Sequence, residues 1–203
     1  MPVVQTQEER RYRVAVWIVI ASEALLFAGL FALYINYRTE YPRAFAEGVT
    51  VDIQWMGGAN TLILLTSSFF IAWAIHMMRH ARAAVASWCL LAVIVLGGAF
   101  LVLKLLEWGI HVHDGIVPGL GYYHGAYHGR GTTLFFTLYY FMTGLHALHV
   151  IAGLVLVTWV FLRTRTRTIN PGSFMALELV ALYWHFVDVV WVFLWPMFYL
   201  MHQ

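Results

Sequence analysis

The sequence predicts an all-α polytopic membrane protein, a bundle of five transmembrane helices with the N-terminus cytoplasmic and the C-terminus outside. Three observations lead there. Hydrophobic residues make up 62% of the 203 positions and charged residues only 11%, against roughly 25% charged in a soluble domain. Five stretches reach the about 20 mainly apolar residues that a helix needs to cross a bilayer. Arginine, finally, alternates between successive loops, as it does when one set faces the cytoplasm.

The first stretch, about 14–34, follows the polar segment MPVVQTQEERRYR. A mixed-charge start before a run long enough to span is not the pattern of a cleavable signal peptide. The second and third stretches cover about 56–78 and 86–108. The fourth lies within 132–162, and the fifth covers about 174–200. Leu, Ala, Val, Ile and Phe with scattered Gly suit helices; a β-barrel needs shorter, alternating segments. Arg10, Arg11, Arg13, Arg79, Arg82, Arg163, Arg165 and Arg167 fall on one side of the alternation, and Arg38, Arg43 and Arg130 on the other. Eight against three sets the orientation.

The loops 36–55 and 109–131 are the longer ones. The second reads GIHVHDGIVPGLGYYHGAYHGRG, whose glycines and Pro118 argue against a helix throughout. With no linker and no internal repeat, residues 1–203 form a single membrane domain. The lone Cys89 leaves no disulfide framework and no cysteine metal site within the chain. No Walker motif, dinucleotide fingerprint or nucleophile elbow occurs, and nothing points to nucleic acid.

Polar residues inside apolar runs carry the functional information, because ionisable groups at membrane depth are costly and rarely face lipid. Glu23, about ten residues into the first span, sits near the midplane. It is either a proton-handling or lipid-contacting carboxyl, or a protonated one bonded between helices. Lys104 and Glu107, spaced i,i+3, read as an internal ion pair with the lysine stem snorkelling toward the helix end. His146 and His149 also share a face; interhelical hydrogen bonding accounts for them better than metal ligation, which needs several such clusters. His111, His113, His124 and His128 belong to the long loop. HVH suits a surface copper or zinc site through His111 and His113, though a solvated His-rich loop accounts for it equally.

The last span, ALYWHFVDVVWVFLWPMFYL, places His185 and Asp188 nearly one helical turn apart, with Glu178 seven residues before His185. A His–carboxylate pair in a bundle interior can relay protons, or it can clasp one helix to its neighbours. No catalytic set is complete within the chain.

Three of these segments resemble subunit III of the haem–copper terminal oxidases: IASEALLFAGLFALY around Glu23, FFTLYYFMTGLHALHVIAGL with His146 and His149, and LYWHFVDVVWVFLW with His185, Asp188 and Trp191. Together with LEWG at Glu107 they cover nearly the whole chain, which looks like the five-helix bacterial form lacking the leading helix pair of longer members. The resemblance implies a supporting subunit of a bacterial inner-membrane respiratory complex that reduces dioxygen to water and pumps protons. It further implies that this chain binds no cofactor of its own, haem and copper being held by partner subunit I. Structural phospholipid is implied within the bundle. Subunits I and II and membrane lipids are the implied partners, with room for a larger respiratory supercomplex. Glu23 matches the family's buried carboxyl. Two other functions fit the same residues. One is a subunit-III-like accessory protein of nitric oxide reductase, which shares the motifs. The other is a stand-alone membrane metalloenzyme using His111, His113, His146 and His149.

Overall fold

The structure, a computed structural model, describes residues 7–116, 129–169 and 173–201. Six helices follow one another: α1 (Gln7–Glu40), α2 (Pro42–Val51), α3 (Gln54–Arg79), α4 (Ala83–His113), α5 (Arg130–Arg165) and α6 (Met175–Tyr199). Five of these, all but α2, are long and apolar enough to cross a membrane. Within hydrocarbon a chain must satisfy its own backbone, which helices of this length do.

The four helices α3 to α6 form the body of the bundle, each packed on the next, with α6 returning against α3. The turn between α3 and α4 is short because α3 ends in a left-handed residue. Ala81, at φ 58°, lets its own N–H reach Met78 O at 3.1 Å and the Arg82 N–H reach Met77 O at 2.9 Å. Gly115, at φ 76°, does the same for α4, with the Ile116 N–H donating to His111 O at 2.8 Å. This termination puts His111 and His113 on the last turn of a helix, not in the loop expected from the glycine-rich sequence. His124 and His128 lie outside the described residues.

The short helix α2 was not expected. Pro42 starts it, since proline fits the first helical turn. Phe45, Gly48 and Val49 on one face are buried, with Phe45 edge-on to Phe135 of α5 at 5.4 Å between ring centroids. The helix lies against α5 and covers one end of the bundle.

The centre of the body is built around Trp184 of α6, which is 1% exposed. Its ring lies over Gly97 of α4 and Gly153 of α5. A Cβ at Gly97 would come within 2.8 Å of it, and one at Gly153 would also come within 2.8 Å. No real side chain tolerates such a distance, so these two positions admit only glycine while the indole stays in place. Small residues at such crossings let membrane helices approach closely.

By contrast, α1 is peripheral. It touches α2, α5 and α6, and buries only Ile20, Phe27 and Tyr34. These stand seven residues apart, a single stripe down one face of a helix. Trp17, Ile18, Leu25, Leu26 and Ile35 on other faces remain exposed, as expected of a surface that meets lipid or another subunit.

Gly97→Val is expected to lower the thermal stability of the detergent-solubilised protein by about 1–3 kcal/mol through overpacking. Gly98→Val, whose Cβ has nothing within 4 Å, is expected to change it by less than about 0.5 kcal/mol. Equal melting temperatures for the two variants would count against the Trp184 slot.

Candidate functional site: polar ties at membrane depth

The polar residues of the spans form four groups, and each group joins different helices. The most deeply buried lies between α4, α5 and α6. Lys104 Nζ donates to Glu107 Oε2 at 3.3 Å, to the Tyr139 hydroxyl at 2.9 Å and to the Tyr199 hydroxyl at 2.6 Å. Both phenols in turn donate to Glu107 Oε1, at 2.6 and 2.5 Å. Lysine and glutamate are 2% and 0% exposed, so the lysine does not snorkel. The helix runs on to His113, well past Lys104, and two tyrosines supply in the interior what water would supply at its edge. A buried ion pair holds only when its remaining donors and acceptors are satisfied; the phenols do this.

Asp52 and His111 flank that group on the α2 side. Asp52 is the residue just after α2, and His111 Nε2 stands 3.5 Å from its Oδ1. Burial pushes the Asp52 carboxyl well above the usual carboxylate range, with the Lys104 ammonium opposing the shift in part.

The second group ties α1 to α5. Glu23 Oε2 is 3.0 Å from His149 Nε2, while His149 Nδ1 lies 2.8 Å from the carbonyl of Leu145. A carbonyl only accepts, so Nδ1 carries its proton. One further proton must then lie between Nε2 and the carboxyl, whichever group holds it. His146, one turn earlier, faces the other way. It packs against Phe100 and Trp191 with centroids 5.6 and 5.1 Å away, and neither ring nitrogen has a hydrogen bond. The two histidines therefore serve different helix contacts despite their spacing.

The third group closes the opposite end from α2. Arg13 of α1 donates to Glu178 Oε2 at 2.7 Å, and Arg79 of α3 to Oε1 at 3.1 Å. Glu178 occupies the first turn of α6, where the helix dipole favours an anion. A cleft of about 510 Å³ opens beside it, lined among others by Trp17, Ile75 and His185.

The fourth group zips α6 to α3. Trp184 Nε1 donates to Ser67 Oγ at 3.0 Å and Trp191 Nε1 to Thr61 Oγ1 at 3.1 Å. Each hydroxyl can accept because it donates to its own helix: Ser67 to Leu64 O at 2.7 Å, Thr61 to Gly57 O at 2.9 Å. His185 Nδ1 and Ser68 Oγ are 2.6 Å apart. Asp188, 4% exposed, faces the same serine from nearly one turn later. His185 and Asp188 thus do not bond each other; the histidine's partner is a serine on α3.

His111, His113, His146 and His149 do not converge. His113 is exposed, His111 faces Asp52, and the other two are committed as described. Tyr139, Tyr199, Asp52, Ser67, Ser68 and Thr61 complete the polar groups and were not singled out from the sequence. The run TSSFF inside an otherwise apolar span is the signal that points to the serines.

The fold and these ties define a multi-pass helical membrane protein whose intramembrane polar groups hold helices together. Residues 5–203 match the profile of the family described as cytochrome c oxidase subunit III, and the chain belongs to that family. It is 30% identical over 198 residues to cytochrome c oxidase subunit 3 of Bacillus sp. (strain PS3), covering 97% of this chain and 88% of the relative. Identity to the protein of the same name from Thermostichus vulcanus is 32%, over 91% of this chain and 84% of the relative. Quinol oxidase subunit 3 of Bacillus subtilis (strain 168) is 26% identical over 97% of this chain and 90% of its own length.

Tyr199→Phe removes a donor to Glu107 and an acceptor for Lys104, and is expected to cost about 1–3 kcal/mol. Ser67→Ala removes one neutral interhelical bond and is expected to cost about 0.6 kcal/mol. Thermal unfolding in detergent, followed by circular dichroism, reads both; a larger loss for Ser67→Ala would contradict the ranking.

Proposed function

We propose that the chain is the non-catalytic subunit III of a proton-pumping respiratory haem–copper oxidase in a bacterial inner membrane. Subunit I carries haem and copper and reduces dioxygen to water; subunit II stands beside it. The observation that carries the proposal is the match to one oxidase-subunit family across residues 5–203. Relatives named for cytochrome c and for quinol fall in the same set, so the function assigned here is that of the shared subunit, whichever donor feeds the complex.

Three contributions follow for this chain. The first is packing: the exposed apolar faces of α1 offer a surface for subunit I. The second is lipid. The cleft beside Arg13, Arg79 and Glu178 sets cations next to Trp17 and Ile75, which suits a phospholipid headgroup above its acyl chain. The third is proton supply. Glu23 and His149 share a proton in a partly exposed pair, with side chains 29% and 14% accessible, near the middle of α1. The arginine excess supports placing the Arg13–Arg79 end in the cytoplasm and the α2 end outside.

Tagged chain extracted in mild detergent is expected to bring oxidase subunits I and II with it, and to bind no haem when separated from them. Stoichiometric haem on the separated chain would sink the assignment. Glu23→Gln offers an amide donor to His149 Nε2 but no transferable proton. It is expected to assemble normally and to lose oxidase activity severalfold sooner during sustained turnover. Glu23→Ala should in addition weaken the α1–α5 contact and lower assembly. Unchanged sustained activity in Glu23→Gln would leave the pair a packing contact.

A further inference from the structure

The buried group at the α2 end has more ligand atoms than its hydrogen bonds use. Glu107 and His111 stand i,i+4 on α4 and so share one face of its last two turns. Asp52 reaches the same point from the link between α2 and α3. One ligand atom from each of the three residues lies within 4.8 Å of the others. Asp52 is 4% exposed and His111 1%, yet neither carboxylate oxygen of Asp52 has a hydrogen bond, and the hydrogen bond of His111 is to the Val51 backbone. The 3.5 Å between His111 Nε2 and Asp52 Oδ1 is too long for a good one. Buried polar atoms are nearly always satisfied, and a buried carboxyl with both oxygens unsatisfied calls for a partner.

We propose that Asp52, Glu107 and His111 form a structural site for a first-row divalent cation of the zinc type. Two carboxylates and an imidazole, without thiolate, suit such an ion; calcium and magnesium favour all-oxygen cages. At zinc–ligand distances of about 2.0–2.2 Å the 3.5 Å between His111 Nε2 and Asp52 Oδ1 suits one ion, and Glu107, within 4.8 Å of both, would close in on binding. Glu107 is already oriented, because the phenols of Tyr139 and Tyr199 both donate to its Oε1. Groups that orient a ligand in this way are part of most metal sites. Lys104 is the competing cation, at 3.3 Å from Oε2. Metal ligands bind deprotonated, so the ion would take the place of the proton that burial favours on Asp52. Bound there, the ion would pin the α2–α3 link to the end of α4. The site stands apart from the oxidase assignment; it depends only on the fold.

The test uses the full chain, purified in mild detergent with whatever subunits accompany it, stripped with a chelator and titrated with Zn²⁺. Wild type is expected to take up one ion per chain more than Asp52→Asn or His111→Gln. With free Zn²⁺ at about 100 times the Kd, its unfolding equilibrium should shift about 100-fold toward the native state, and those of the two variants should not move. His76 and His80, whose rings lie 4.3 Å apart on the exposed end of α3, are the competing surface site. The double variant His76→Ala, His80→Ala must therefore retain the ion. Failure of wild type to exceed the two variants overturns the proposal, as does loss of the ion in the His76, His80 variant. Destabilisation of Asp52→Asn to the same degree with and without zinc would reduce the trio to a hydrogen-bonded clasp.

Discussion

The fit of Trp184 between two glycines is the constraint on which the bundle depends. One indole touches α4 through Gly97, touches α5 through Gly153, and donates to Ser67 on α3. A single side chain of α6 thus sets the distances to the other three helices of the body. Lipid tails offer no hydrophobic drive between helices, so close packing and a few interhelical hydrogen bonds must hold them. Trp191 repeats the arrangement seven residues later, donating to Thr61 while its ring meets Phe100 edge-on at 4.9 Å. The polar group at Lys104 and Glu107 then closes the stack, and its two phenols come from α5 and α6.

Outside this body, α1 follows a different physical rule. Its apolar stripe is one residue wide, and what fixes it is a series of long-range polar contacts. Arg13 bonds Glu178, Glu23 bonds His149, Tyr34 donates to the carbonyl of Met197 and Arg38 to that of Met201. Spaced along the helix, these set its rotation and its height while leaving most of its surface for other molecules.

How much of this was legible in the sequence depends on the kind of constraint. The five spans were, because apolar length alone defines them. Of the polar residues picked out in the spans, Glu23, Lys104, Glu107, His149, Glu178 and His185 take part in interhelical or buried bonds, while His146 packs between Phe100 and Trp191. Their partners were not legible. Helical spacing places two residues on one face of their own helix, but says nothing of what stands opposite. His185 and Asp188 illustrate this, since the face they share meets Ser68 rather than closing on itself. The short α2 was missed because ten residues bury too little to leave a pattern, and with it Asp52, which follows α2 and is buried beside His111 of α4. Lys104 read as a snorkelling residue because the apolar run stops near residue 108, whereas the helix does not.

The separation of α1 from its partners along the chain also orders the events of biosynthesis. Arg13 and Glu178 are 165 residues apart, and among the described helices α1 packs on α2, α5 and α6. At about 5–20 residues per second, the ribosome needs roughly eight to thirty seconds to supply that partner. The α3–α4 hairpin closes over a three-residue turn and can form as it emerges. During that interval α1 sits in the bilayer with its glutamate unmatched, held only by its own apolarity. A chaperone or a partner subunit has that interval in which to meet it.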